Sequence, residues 1–168
     1  MQPFKWCFFI ALFLLVFVSD LCAECPKSIE NMTFFNVKGK QSSIDCSFRT
    51  ALIINFWATW CAPCRAEIPQ LNEIYHEYKP RGIDIVGVSL DSIRPKKINS
   101  YVKSLKIEYP IFIGRADEVQ EKMDVVGIPA TIIVDRKGEI FRKLVGYHTK
   151  DEIVSVLEEL IKKSNLKD

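Results

Sequence analysis

The chain has 168 residues, 48% of them apolar and 26% charged, which is enough for one well-packed domain and short for two. Its 23 basic and 21 acidic residues leave a net charge of +2, too balanced for the electrostatic footprint of a nucleic-acid binder. Lys162, Lys163 and Lys167 read as a solvated helix end rather than a binding patch.

The N-terminus decides the compartment. Lys5 supplies a positive flank, Trp6 to Val18 are thirteen uninterrupted apolar residues, and Leu21-Cys22-Ala23 ends on a small residue at the cleavage position. Thirteen apolar residues fall short of the roughly 20 that span a bilayer as a helix. The first reading is therefore a signal peptide over residues 1–23, cleaved after Ala23. The second is an uncleaved N-terminal membrane anchor, with Lys5 kept inside. Both place residues 24–168 outside the cytoplasm, in the periplasm, either soluble or anchored to the inner membrane.

From there the elements follow in chain order. The stretch "MTFFNVKGKQSSI" has Gly39 between two apolar flanks and reads as a hairpin. Ala51 to Ala58, "ALIINFWA", is a continuous apolar run rich in branched and aromatic residues, which predicts a central buried strand. Ile68, Leu71, Ile74, Tyr75 and Tyr78 recur at helical spacing, so Cys64 to Lys79 reads as an amphipathic helix ended by Pro80 and Gly82. Ile83 to Leu90 is a second buried strand. After Pro95, the residues Ile98, Tyr101, Val102 and Leu105 mark another helix. "PIFI", Pro110 to Ile113, is a short strand and Ala116 to Met123 a short helix. "ATIIVD" and "EIFRKLVG" are strands joined at Arg136-Lys137-Gly138. Thr149 to Lys163 closes the chain as a helix with a Thr149/Glu152 capping box. Strands alternating with helices before a closing hairpin and helix predict an α/β domain, a mixed sheet with helices on both faces.

Of the six cysteines, Cys7 and Cys22 lie in the export segment. The remaining four are an even number in a disulfide-permissive compartment. Cys25 and Cys46 flank a segment that reads as a hairpin, which suits a static bridge; two unrelated thiols are the alternative. Cys61 and Cys64 stand three positions apart where a strand gives way to a helix. A helix N-terminus stabilises a thiolate and lowers its pKa from about 8.5 into the range of roughly 3.5 to 7.5. Cys61 is therefore expected to be the exposed, attacking sulfur and Cys64, one turn further in, the buried resolving sulfur. A zinc site needs two more ligands. His76 and His148 lie in no ligand motif and read as surface residues, so no metal and no cofactor is expected. A static bridge between Cys61 and Cys64 closes almost no loop and gains little.

The segment "FWATWCAPC" resembles the active-site stretch of thioredoxins. Its continuation "WCAPCRAEIP" is similar to the TlpA/ResA-like branch, which includes the exported DsbE/CcmG-type thioredoxins of cytochrome c maturation, and the similarity covers nearly all of residues 30–163. A second match is "VGIPATIIVD", in which Pro129 falls at the family's cis-proline. The resemblance implies a thioredoxin fold with an N-terminal hairpin extension and a central βα insertion, here "PIFI" and Ala116 to Met123. It implies a redox-active dithiol at Cys61 and Cys64, with Glu67 as an acidic group for proton transfer at Cys64; a favourable charge in the first helical turn is the plainer account of Glu67. It also implies a substrate-contacting surface of Trp60, Ala62, Pro63, Ile128 and Pro129. Trp57 matches a packed tryptophan and Pro69 a helix-kinking proline. Asn55 stands where cytoplasmic thioredoxins carry a buried Asp, which leaves Glu67 as the proton acceptor.

The activity so implied is reduction of disulfides in exported proteins, apocytochrome c among them, with a membrane thiol-disulfide carrier as the source of electrons. Ala62-Pro63 keeps thioredoxin's proline beside the second cysteine, a reductant's feature within a span of about 150 mV. The same chemistry run as an oxidase or isomerase is the alternative within the class. A thiol peroxidase wants Thr three residues before its cysteine, where this chain has Ala58. A copper-binding chaperone on the same fold is the non-enzymatic alternative.

Overall fold

The computed structural model describes residues 25–48 and 50–165, so the expected export segment, 1–23, lies outside the described residues. The longest apolar run becomes the middle of the sheet. Strand β3 (Ala51–Trp57) is buried at every position, because it is flanked on both edges and covered on both faces. It pairs in parallel with β4 (Ile83–Ser89) and antiparallel with β6 (Ala130–Asp135). Numbering β1 (Phe34–Asn36), β2 (Gln41–Ser42), β5 (Ile111–Ile113) and β7 (Ile140–Val145) in chain order, the seven strands lie as β2-β1-β5-β4-β3-β6-β7.

The hairpin and the insertion form one unit. Asn36 Oδ1 accepts from the backbone N–H groups of Lys38 (2.9 Å) and Lys40 (3.1 Å), and Gly39 takes the turn at φ 78°, a conformation open to glycine without a Cβ clash. Strand β1 then pairs with β5 rather than with a core strand. The inserted strand is thus what joins the hairpin to the sheet.

Alternation along β3 sends Ala51, Ile53 and Trp57 to one core and Leu52, Ile54 and Phe56 to the other. The first core is covered by α2 (Ala62–Tyr78) and α5 (Lys150–Asn165), through Ile68, Leu71, Ile74, Ile153 and Leu157. Each such side chain stabilises the fold by about 1.5–3 kcal/mol on burial. The second core is covered by α1 (Lys27–Glu30) and α4 (Ala116–Met123), through Ile29, Val119 and Met123. Helix α2 starts at Ala62, two residues earlier than its apolar period, because Cys61 acts as its N-cap. It runs on through Pro69, which faces solvent, and ends at a 3-10 turn with Gly82 at φ 80°. In α3 (Pro95–Ser104), Ile98 is buried but Tyr101 turns outward. The apolar stripe is therefore narrower than the spacing suggests. The capping box of α5 forms, with Glu152 Oε2 accepting from Thr149 N at 2.8 Å. No helix of the described residues is long and apolar enough to cross a membrane.

Cys25 is joined to Cys46, with Cα atoms 5.3 Å apart. Cys46 sits among Ile44 and Phe48 in the second core. A bridge across a separation of 21 residues restrains the unfolded chain by about 3 kcal/mol. The double variant Cys25→Ser/Cys46→Ser is expected to lose that amount in urea denaturation and to keep its dithiol activity, since this pair lies in the core away from Cys61.

Candidate active site

The dithiol is built at the C-terminal end of β3. After Trp57 the chain turns through Ala58 and Thr59, and Cys61 N–H donates to Ala58 O at 3.1 Å. Cys61 then caps α2, with φ −81° and ψ 102°, and its Sγ accepts from Cys64 N at 3.2 Å. Capping by sulfur is the structural form of the thiolate argument: an otherwise unsatisfied helix N–H points at the atom that must carry negative charge. Pro63 sits in the first turn, where its missing N–H costs nothing. The structure describes the oxidised pair, Cys61 bonded to Cys64, with Cα atoms 5.3 Å apart.

Burial does not separate the two sulfurs as expected. Cys61 keeps 4% of its surface and Cys64 2%, so both lie beneath the surface at the turn closed by the Cys61 N–H on Ala58 O. What is exposed is the rim. Trp60 is 69% exposed, and Ala62 and Pro63 are exposed beside it.

A network unread in the sequence holds this turn. Ser89 lies opposite Trp57 in the β3/β4 ladder, and Leu90 N–H donates to Trp57 O at 2.8 Å. That register brings Asp91 behind the dithiol loop. Its buried carboxylate accepts from Thr59 N (2.9 Å), Thr59 Oγ1 (2.7 Å) and Ser89 Oγ (2.8 Å). Arg65 Nη1 donates to Thr59 O at 2.7 Å from the helix side. Thr59 is thereby held from both sides, which keeps the two cysteines in place.

Below Cys64 lies Glu67, three residues on along the buried face of α2 and 0% exposed. Asn55 Nδ2 donates to its Oε2 at 3.1 Å and to Thr131 Oγ1 at 3.1 Å, and His148 N–H donates to its Oε1 at 3.0 Å. Burial raises the Glu67 pKa above its ordinary value, and the two hydrogen bonds and the nearby His148 ring pull against that rise. A carboxyl in this setting accepts and returns a proton more readily near neutral pH than an exposed one.

His148 does not behave as a surface residue. Its ring is 24% exposed, Nδ1 lies 3.6 Å from Glu152 Oε2, and Nε2 is buried. The segment between β7 and α5 folds against α2 there, with Gln70 Nε2 donating to Tyr147 Oη at 2.7 Å and Lys150 N–H to Gln70 Oε1 at 2.5 Å. His76, by contrast, is exposed and contacts Glu108.

The Ile128–Pro129 peptide is cis. Ala130 lies opposite both Phe56 and Val145, and Gly146 N–H donates to Pro129 O at 2.8 Å. Pro129 therefore stands one residue past the end of the sheet at which β3 leads into Cys61. The fold thus brings Cys61, Cys64, Glu67, Trp60, Ala62, Pro63, Ile128 and Pro129 to one end of the molecule and leaves Cys25 and Cys46 apart from them. Val126, Val145 and Tyr147 are exposed as well, at 76%, 57% and 46%, with Val145 opposite Ala130 and Tyr147 on Gln70, and nothing in their sequence spacing marked them. Among the described residues no three His, Cys, Asp or Glu side chains gather as a metal site.

Two sulfurs held at a helix N-terminus, with a buried carboxyl one turn further on, are an arrangement suited to disulfide exchange. The architecture beneath them places the chain among the thiol-disulfide oxidoreductases of the thioredoxin fold. It belongs to the AhpC/TSA family, whose pattern matches residues 27–143, and within it to the TlpA/ResA-like thioredoxins. The thiol-disulfide oxidoreductase ResA of Geobacillus kaustophilus is 32% identical over 126 residues, 74% of this chain and 71% of that protein. ResA of Bacillus thuringiensis subsp. konkukian is 28% identical over 147 residues, 88% and 82% of the two chains. A solved thioredoxin-family thiol:disulfide interchange protein from Chlorobium tepidum TLS, 26% identical, superposes with a TM-score of 0.65 over 84% of this chain and 99% of its own.

Proposed function

We propose that the protein is an extracytoplasmic reductase of disulfides in exported proteins, with the haem-site cysteines of apocytochrome c as the leading substrate. In this reading residues 1–23 carry the chain out of the cytoplasm, as a cleaved signal or an anchor, and residues 24–168 form the working domain. The observation that carries it is Cys61 at the N-cap of α2, with the Cys64 N–H directed at its sulfur.

Cys61 thiolate attacks a substrate disulfide, forming a mixed disulfide and releasing one substrate thiolate. Cys64 passes its proton to Glu67 and attacks Cys61, which frees the second substrate sulfur and leaves Cys61 bonded to Cys64. The rim of Trp60, Ala62, Pro63, Ile128 and Pro129 receives the polypeptide that flanks the substrate cysteine. A membrane thiol carrier then reduces the pair for the next cycle. The alanine-proline spacer, which keeps a proline beside the second cysteine, supports the reducing direction.

Cys64→Ser is expected to accumulate mixed disulfides with exported proteins through Cys61, separable on non-reducing gels and identifiable by mass. Equal trapping by Cys61→Ser would reverse the assigned roles. A reduction potential for Cys61/Cys64 near the strongly oxidising end, about −120 mV rather than about −270 mV, would make the protein an oxidase instead.

A further inference from the structure

Thr59 ties the dithiol turn to the sheet, two residues before the nucleophile. All three of its polar groups are taken up: its N–H and its Oγ1 donate to the two oxygens of Asp91, at 2.9 Å and 2.7 Å, and its carbonyl accepts from Arg65 Nη1 at 2.7 Å. Trp60, the next residue, is 69% exposed. Cys61 follows it as the N-cap of α2.

Asp91 is itself fixed. Ser89 lies opposite Trp57 on β3 and opposite Ile113 on β5, and Gly114 N–H donates to Ser89 O at 3.0 Å. Gly114 sits so close to β4 that a Cβ there would lie 2.8 Å from Val88 Cγ1. Ser89 Oγ donates to Asp91 Oδ2 at 2.8 Å and accepts from Asp91 N–H at 3.3 Å. Asp91 keeps only 6% of its surface, so bulk water competes little for the bonds to Thr59. The inserted strand β5 thereby braces the dithiol turn through Ser89 and Asp91.

We propose that Asp91 is a positioning residue of the dithiol, whose grip on Thr59 holds Cys61 close to Cys64 in the reduced protein and so makes the pair a stronger reductant. The inference rests on the reading of Cys61 and Cys64 as a redox-active pair. In the oxidised protein the sulfur–sulfur bond and the grip restrain the same turn. Reduction breaks that bond with uptake of two electrons and two protons from an external dithiol, which closes to its own disulfide. The grip is then left to restrain the turn by itself. Without it the reduced turn gains more freedom than the oxidised one, which the bond still closes. The reduced form is favoured, and the pair loses reducing power. The same freedom lowers the effective concentration of Cys64 at Cys61, so resolution of a mixed disulfide slows.

Asparagine separates geometry from charge. Its oxygen accepts from Thr59 N–H in place of Asp91 Oδ2, and its NH₂ donates to the Thr59 hydroxyl, which accepts as well as donates. The grip survives and the charge does not.

The test equilibrates the purified protein with dithiothreitol redox buffers at one pH and counts Cys61 and Cys64 as thiols or disulfide by alkylation and mass. Asp91→Ala is expected to be reduced more readily, by about 10-fold in the equilibrium constant, which is a potential about 30 mV less negative. Asp91→Asn stays within about threefold of the parent. When the reduced proteins meet an aromatic disulfide, the second thiolate release, as Cys64 resolves the adduct, slows about 10-fold in Asp91→Ala, while the first, from attack by Cys61, changes by less than about threefold. Should the alanine variant fail to fold, Thr59→Val keeps the side-chain shape, removes one of the two bonds and shifts the constant in the same direction by about threefold. An unchanged constant, a shift toward stronger reduction, or a shift in Asp91→Asn as large as that in Asp91→Ala would overturn the proposal. A parent protein whose Cys61 and Cys64 never equilibrate with the dithiol would instead sink the dithiol reading.

Discussion

Cys61→Ser abolishes disulfide exchange: turnover of insulin or of a small aromatic disulfide is expected to fall by at least about 10³-fold. The loss is chemical. A serine hydroxyl is not ionised by a helix N-terminus, Cys64 lies inside the first turn of α2 rather than at its N-cap, and Cys25 and Cys46 are bonded to each other. The fold is spared, because serine is itself a good N-cap and its oxygen takes the place of Cys61 Sγ as acceptor for Cys64 N–H. Urea denaturation against the reduced parent is therefore expected to agree within about 1 kcal/mol. A variant that kept more than roughly a tenth of the parent rate would place the nucleophile elsewhere.

Glu67→Gln gives the second largest effect, and it is visible in both rate and stability. Without a proton acceptor, resolution by Cys64 slows by about 10²-fold near neutral pH and recovers part of that loss as hydroxide takes over in alkaline solution. The stability effect follows from burial. The Glu67 pKa is raised in the fold above its ordinary value of 4.5, so the protonated carboxyl favours the folded state. That contribution is complete below pH 4.5 and is lost as pH rises through the raised folded value. Glutamine keeps the shape, carries no charge, and removes this dependence. One of its amide positions meets a donor, Asn55 Nδ2 or His148 N–H, at a cost that does not vary with pH. Stability of the oxidised variant relative to the parent should accordingly improve as pH rises from about 4 to about 8. Parallel curves for the two proteins would show that Glu67 does not titrate in a sealed site.

The parts of the site that repeat within one element were legible before any coordinates. Cys61, Cys64 and Glu67 share one helix, and a period of three residues places the last two on one face. The strand before them announced itself by composition. The support of the site was not legible, because it is assembled across elements. Asp91 reaches Thr59 only through the parallel register of β3 and β4, and no residue near either position signals that pairing. His148 read as a surface histidine because its neighbours are polar and a loop was expected there. Its approach to Glu67 comes from the docking of α5 on α2, a contact separated by 81 residues. The expected exposure of Cys61 rested on its place at a helix edge, and it keeps only 4% of its surface. Helix α1 has only four residues, too short for a helical period to show.

The bridge between Cys25 and Cys46 also sets how the domain bears mechanical tension. A pull applied to the chain at Cys25 crosses the bond to Cys46 and enters the sheet through the short connection to β3. The intervening residues, with α1 and the β1/β2 hairpin, form a loop that carries none of it. In the oxidised protein that loop hides about 70 Å of contour length, at roughly 3.3–3.6 Å for each of its 21 positions. Reduction of this one bond releases the slack and moves the point of attack from the middle of the domain to its outermost strands, where pairs of two residues each are the first to part.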